Sequence, residues 1–247
     1  MRASLDARIA RATELAQIFP AARDLLIFYR ELARLQKPIF EQLRDRTDLG
    51  VLVPHFPALL ELVRRSGPEP LAEFGSKQLG SPEAQENLLR AGWEGAVDSE
   101  APRFYARVLL QPYAESLASR GVVDIHTAAS VCPFCGSRPV AAALRGEGDG
   151  GKRWLVCSLC STEWEFRRVV CPNCAEEDKE KLPVFTSSEI EHVRVEACDS
   201  CKTYLKSVDL TKDGRAVPMV DEIATVALNI WAETHGYTKL ESNLLGM

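Results

Sequence analysis

Cys132-Pro133-Phe134-Cys135, Cys157-Ser158-Leu159-Cys160, Cys171-Pro172-Asn173-Cys174 and Cys198-Asp199-Ser200-Cys201 hold all eight cysteines of a 247-residue chain. Random placement would leave strays; here every cysteine has a partner three residues away. A Cys-x-x-Cys turn brings two sulfurs close enough to share one metal ion, and a second turn alongside completes a tetrahedron of thiolates. The gaps decide the pairing. Cys135 and Cys157 are separated by 21 residues, and Cys174 and Cys198 by 23. Both gaps lie at or just beyond the long end of four-cysteine zinc-ribbon spacing. Only 10 residues, without a turn signal, separate Cys160 from Cys171. The motifs therefore pair in order. One expected site is Cys132, Cys135, Cys157 and Cys160; the other is Cys171, Cys174, Cys198 and Cys201.

The two halves read as a repeat. Matching cysteines are offset by 39, 39, 41 and 41 residues, and Val131-Cys132-Pro133-Phe134-Cys135 aligns with Val170-Cys171-Pro172-Asn173-Cys174. Other uses of cysteine fit less well. Thioredoxin-like redox motifs come one per βαβ unit, and nothing here reads as βαβ. Disulfide frameworks belong to short secreted chains. Iron–sulfur clusters usually draw on a compact run of closely spaced ligands. Two ions, each held by four cysteines, is the economical reading. Iron and zinc both suit a tetrahedron of thiolates and stay open at this point.

A 46% hydrophobic and 26% charged composition fits a globular protein of one or two domains. No apolar run reaches the ~20 residues that a membrane span needs, so no membrane insertion is expected. Met1 to Ala10 is charged and lacks the apolar segment of a secretory signal. Reduced cysteines and no export signal point to the cytoplasm. The formal charge is −5. Two divalent ions on deprotonated thiolates would take it to about −9, and two ferric ions to about −7. Residues 130–215 carry 13 Lys and Arg against 14 Asp and Glu, so nucleic-acid binding has no electrostatic support.

The first 45 residues read as two helices. Leu5, Ile9, Ala12, Leu15, Ala16 and Phe19 are spaced for one; Leu25, Tyr29, Leu32, Leu35, Gln36 and Ile39 for the next. Pro20 separates them and Pro38 is placed to kink the second. Arg23, Asp24, Arg30, Glu31 and Arg34 read as a solvated face. A loop is expected over 47–56, a short helix over Pro57 to Arg65 and a weaker one over Leu71 to Leu79. Ser81 caps a further helix, with Pro82 in its first turn and Leu88, Leu89 and Trp93 on its apolar side. The last helix of this region, Pro102 to Arg120, should bend or split at Pro112 and end at Gly121 as its C′ residue. The region's aromatic residues are spaced for packing.

Short strands are expected over Pro139 to Leu144, Arg153 to Val156, Trp164 to Val170, Val184 to Thr186, His192 to Ala197 and Tyr204 to Leu210. The stretch Arg145-Gly146-Glu147-Gly148-Asp149-Gly150-Gly151 reads as an exposed hairpin loop. It is no phosphate cradle, since it does not follow a strand and open a helix. Asp213-Gly214 marks a turn. One amphipathic helix is expected over 219–236, with Val220, Ile223, Val226, Ala227, Ile230, Trp231 and Thr234 on one face. Asp221 and Glu222 suit the positive end of its dipole. The fold class is α+β. An all-α domain covers 1–125, followed by a first ribbon over 126–168, a second over 169–215, and a C-terminal helix and tail over 216–247.

Proline and the glycine after the second cysteine make Cys132-Pro133-Phe134-Cys135-Gly136 the turn expected to be most regular; no other turn has both. His126 and His192 flank the sites, but eight cysteines already complete two sets. A closed four-sulfur site has no open coordination position for hydrolysis. No Ser/His/Asp set and no singled-out carboxylate pair supports an enzyme, and no catalytic residue is assigned.

The chain resembles the formate dehydrogenase accessory protein family, FdhE. The match lies in Cys132-Pro133-x-Cys135-Gly136-Ser137-x-Pro139-Val140, Cys157-x-Leu159-Cys160-x-Thr162-Glu163-Trp164 and Cys171-x-Asn173-Cys174. It continues in Glu196-x-Cys198-x-x-Cys201-x-Thr203-Tyr204-Leu205-Lys206 and Asp221-Glu222-Ile223-Ala224. It covers 131–240 well and the helical half by pattern alone. Lys202 stands where some members have glycine. The resemblance implies two tandem rubredoxin-like or zinc-ribbon modules and a cytoplasmic, metal-binding maturation factor that contacts the catalytic subunit of a formate dehydrogenase. The eight cysteines would be its metal ligands. A second reading is a rubredoxin-like electron carrier or thiol-redox protein acting on that subunit. A third is a nucleic-acid-binding zinc ribbon, which the charge balance disfavours.

Overall fold

Ser4 accepts the Ala7 amide at 3.1 Å and opens helix α1 (Leu5–Ile18) in the computed structural model, which describes residues 3–43, 48–147 and 150–247. A 3₁₀ turn from Pro20 leads into α2 (Arg23–Gln42). Then come α3 (Phe56–Ser66), α4 (Glu69–Gln78), α5 (Pro82–Trp93) and α6 (Glu100–Arg120). Leu15, Leu26, Leu32, Phe56, Leu59, Tyr105 and Leu109 lie at the centre of their common core. Phe28 stacks on Phe104 with ring centroids 5.9 Å apart, so the aromatic residues pack as their spacing predicts. Gly75 sits inside α4, where a Cβ would stand 2.3 Å from the Tyr105 hydroxyl and 2.7 Å from Leu60. Glycine to alanine ordinarily favours a helix. Here Gly75→Ala is expected to cost about 1–3 kcal/mol through overpacking, read as a lower thermal midpoint.

Pro112 does not split α6. It removes the amide that would have bonded the Val108 carbonyl, and Gln36 Nε2 on α2 donates to that carbonyl instead, at 2.9 Å. Pro38 lies inside an unbroken α2, on its exposed face. Gly121 has φ −80°, so it is no left-handed cap. Its role is close approach: a Cβ there would meet the Phe134 ring at 2.7 Å. The segment expected as loop before α3 forms a 3₁₀ helix, Leu49–His55, with Asp48 accepting the Gly50 amide. Residues 1, 2, 44 and 45, expected as helix, and residue 47, expected as loop, lie outside the described residues.

One sheet carries both ribbons, in the order β3-β2-β1-β6-β5-β4. Strands β1 (Pro139–Glu147), β2 (Gly150–Cys157) and β3 (Glu163–Phe166) form an antiparallel meander. So do β4 (Val184–Thr186), β5 (Val193–Ala197) and β6 (Thr203–Asp209). The meanders join in parallel, with Ala142 opposite Ser207 and Leu144 opposite Asp209. The hairpin pairing runs on to Glu147 opposite Gly150, past the end expected from the glycine-rich stretch. Gly148 and Asp149, part of that expected loop, lie outside the described residues. Strand β3 ends at Phe166, short of the Val170 end expected for it. The buried Arg153 guanidinium takes the carbonyls of Arg167 and Val170 at 3.3 and 3.0 Å and turns the chain toward Cys171.

The single C-terminal helix expected over 219–236 is two: α7 (Pro218–Ala224) and α8 (Val226–Thr234). The buried Lys206 ammonium donates to the carbonyls of Glu222 and Thr225 at 2.5 and 3.2 Å, and Thr225 Oγ1 donates back to the Asp221 carbonyl at 2.8 Å. With its carbonyls diverted, α7 stops and the chain swings round. The expected stripe breaks with it: Val220 and Ile223 join the helical core, while Ile230 is exposed. β7 (Thr238–Lys239) then pairs with the start of β6.

Candidate metal centres

All four Cys-x-x-Cys turns share two backbone features. In each, the amide of the first cysteine donates to the carbonyl five residues on: Cys132 to Ser137, Cys157 to Thr162, Cys171 to Glu176 and Cys198 to Thr203, at 2.8–3.0 Å. In each, the residue after the second cysteine is left-handed, with φ 74° at Gly136, 55° at Ser161, 61° at Ala175 and 54° at Lys202. The first turn is therefore not the most regular, and Lys202 leaves its turn unaltered. Closing the turn fixes the conformation whether or not glycine is there to adopt it freely. A non-glycine residue in this region costs about 1–2 kcal/mol. Ala175 is exposed. Ala175→Gly is expected to relieve that strain at a smaller entropic loss and to stabilise the protein by about 0.5–1 kcal/mol in chemical denaturation.

The fold brings each predicted quartet together. Within each group of four the sulfurs lie within 4.8 Å of one another. Cys132 and Cys160 sulfurs are 3.5 Å apart, and those of Cys135 and Cys157 3.4 Å. In the second quartet Cys171 and Cys201 are 3.7 Å apart, and Cys174 and Cys198 3.6 Å. A disulfide would need about 2.05 Å. Four sulfurs around one ion at metal–sulfur bonds of about 2.3 Å would be separated by about 3.8 Å. The spacing fits a tetrahedral ion at each quartet. His126 and His192 stand apart from both, the first against Glu165 and the second against Asp221.

The centres differ in their surroundings. In the first, Cys132, Cys157 and Cys160 are buried beside Leu155, Trp164 and Leu205. Leu159 and Cys160 amides point at Cys157 Sγ, each at 3.4 Å. Burial pushes the Cys157 thiol well up, while hydrogen bonding among the cysteines, first from Cys132, brings Cys135 down. In the second, Cys174 is exposed and Cys201 half-buried. Burial pushes Cys198 up to about 12. Burial also acts to raise Cys201, but hydrogen bonds from Thr203 and Asn173 bring it down to about 6. A shared cation would let all four thiols of a quartet ionise.

Side chains invisible as site residues in the sequence hold the first centre to the helices. Ser161 Oγ donates to Glu115 on α6 at 2.6 Å, and Glu115 is paired at 2.7 Å with Arg8, buried on α1. Gln111, also on α6, donates to the Ser158 carbonyl at 3.4 Å. Asp221 does cap, accepting the Val217 amide at 2.7 Å, but it is fully buried and also binds Arg11 and His192. Glu222 is no cap; it is buried between Lys206 and Lys239. The one sequence signal for these contacts was Arg8 and Arg11 sharing the apolar face of α1.

Two grooves flank the centres. One, of about 650 Å³, runs between α5, α6 and the first turn, past Trp93, Arg103, Arg138 and Cys135. The other, of about 470 Å³ and largely apolar, lies beside Cys171 and Cys198 under Val169, Val184 and Arg194. Among the described residues, no helix is long and apolar enough to cross a membrane.

Residues 131–168 match the family model described as FdhE, central domain, and residues 169–245 that described as FdhE, C-terminal domain. Protein FdhE homolog of Aquifex aeolicus (strain VF5) is 32% identical over 203 residues, covering 81% of this chain and 71% of that one. Protein FdhE of Escherichia coli (strain K12 / DH10B) is 37% identical over 159 residues, 63% of this chain and 51% of that one. The match thus spans about half the length of the Escherichia coli relative and more of the Aquifex one. The crystal structure of the FdhE protein from Pseudomonas aeruginosa aligns with a TM-score of 0.73 and 25% identity, over 98% of this chain and 95% of that one.

Proposed function

The chain belongs to the FdhE family, and on that premise we propose that it is a cytoplasmic, metal-binding accessory protein that matures a formate dehydrogenase by docking on its catalytic subunit. The observation that carries this is the pair of four-sulfur clusters, each built from two turns closed by the same backbone hydrogen bond. Cys132, Cys135, Cys157 and Cys160 would hold one ion, and Cys171, Cys174, Cys198 and Cys201 the other, as iron or zinc. A four-sulfur cage leaves no open position for substrate, so the ions shape and brace the docking surface. We propose the same division of the chain as the sequence suggests: a helical domain over 1–125, ribbons over 126–168 and 169–215, and a C-terminal segment. The two grooves and the exposed Cys174 are the accessible surface beside the cages.

Anaerobic purification followed by metal analysis and co-purification with the dehydrogenase's catalytic subunit tests this. Two ions per chain and retention of the subunit are expected. A metal-free protein, or one that does not retain the subunit, would overturn it. The electron-transfer reading draws on the exposure of Cys174 and requires iron. Protein holding only zinc, without visible absorbance, would remove it.

A further inference from the structure

We propose that the two centres divide their duties: the second exchanges its ion, opening at Cys174, while the first keeps its ion as long as the fold lasts. This rests on the metal-binding reading above. Three separate features of the chain converge on it.

Access is the first. Cys157 and Cys160 are 0% exposed and Cys132 2%, whereas Cys174 is exposed and its neighbours Asn173 and Ala175 are exposed with it. Loss of a thiolate ligand begins when a proton or an incoming soft ligand reaches the sulfur. Cys135 and Cys201 are half-buried, and among the eight cysteines Cys174 alone is exposed, so it offers that approach most openly.

Support around the sulfur is the second. In three of the four turns the residue two beyond the second cysteine is a hydroxyl lying on its sulfur. Ser137 is 3.4 Å from Cys135, Thr162 3.1 Å from Cys160 and Thr203 3.0 Å from Cys201. On a thiolate such a hydroxyl disperses charge and fixes the side chain. In the third turn that position is Glu176, whose carboxylate has no proton to give. It turns away from Cys174 and accepts from Ser200 Oγ at 2.5 Å and from the amides of Glu177 and Asp178. Cys174 is the second-position cysteine without this partner.

Anchoring is the third. The Cys157–Cys160 turn is fastened to α6 through Ser158 and Ser161, and Phe134 of the first turn lies against Gly121. Among the described residues the Cys171–Cys174 turn has no such tie to a helix: Arg153 of β2 holds its entry at the Val170 carbonyl, and beyond Cys174 Glu176 reaches Ser200 and Lys181.

The incoming ligand suited to this opening is a thiol. As it takes the place of Cys174 it gives up its proton and Cys174 takes one, so four thiolates still surround the ion and the charge is unchanged. No electron moves.

Native mass spectrometry of the anaerobically purified full chain, taken at intervals after adding excess EDTA, reads the two losses separately. Quenching with iodoacetamide and mapping the peptides assigns each loss to its cysteines. One ion is expected to leave at least about tenfold faster than the other, with Cys174 alkylated first and Cys132, Cys135, Cys157 and Cys160 protected in the one-ion species. Adding glutathione is expected to hasten the first loss alone. Glu176→Thr, which restores a hydroxyl at the missing position, is expected to slow the first loss severalfold. Equal rates, or early alkylation in the first quartet, would overturn the proposal while leaving the metal-binding reading intact. Fewer than two ions on the untreated protein would overturn both.

Discussion

Replacing Cys160 with serine is expected to cut the metal count from two to one and to lower the thermal midpoint by about 10–20 °C. The sulfur is fully buried, 3.5 Å from Cys132, in a cluster with Leu155, Trp164 and Phe166. These apolar side chains of β2 and β3 pack directly around the sulfurs, so loss of the ion would loosen the meander's own core. A structural four-ligand zinc contributes about 10–16 kcal/mol in isolated peptides. Even a third of that, about 5 kcal/mol, corresponds to the stated drop for a chain of this size, at about 2–4 °C per kcal/mol. The same change at Cys174 is expected to cost far less, because an exposed position lets solvent replace the lost ligand. Calorimetry with parallel metal analysis reads both. A Cys160→Ser protein with an unshifted midpoint would mean that β1 to β3 hold together unaided.

The second large effect is expected at Glu222. This carboxylate is fully buried beside Lys206, also fully buried at 2.9 Å, beside Lys239, and within 2.7 Å of Asn243. Glu222→Gln leaves two ammonium groups without their counter-charge. Removing one partner of a buried ion pair costs about 3–5 kcal/mol, or about 6–20 °C in the midpoint. Replacing Glu222 by leucine together with Lys206 by methionine should recover part of the loss, since a buried pair exchanged for apolar volume is often neutral. Acid supplies an independent check. Burial alone would raise the Glu222 pKa, but Lys206 and Lys239 hold it at about 2, below its ordinary 4.5. The folded chain thus binds this proton less readily than the unfolded one. The stabilisation is complete above about pH 4.5 and fades as pH falls toward about 2. Glu222→Gln should flatten that part of the stability curve; an unchanged acid slope would show that the group does not titrate this way.

Local chemistry was legible in the chain and distant chemistry was not. The grouping of the eight cysteines into two quartets in order, and most helix starts, follow from spacings of a few residues and from caps such as Ser81. Pro112 misleads because the group that rescues its orphaned carbonyl, Gln36, lies more than seventy residues earlier. The break at Thr225 depends on an ammonium from β6, and nothing in residues 219–236 announces it. Ser161 and Ala175 carry no preference for the left-handed region; the closing hydrogen bonds of the turn put them there. The parallel joint between β1 and β6 is equally silent, since each meander satisfies its own local pattern without it.

The core of the helical half includes Val217, Val220, Ile223 and Leu244, and Arg11 on α1 meets its partner at Asp221. During synthesis every sulfur of both quartets is made before these residues are. At about 5–20 residues per second, the interval from Cys201 to Leu244 is a matter of seconds. Both quartets are thus complete while α1 still waits for its counterpart, and closure of the helical layer falls to the segment over 217–244.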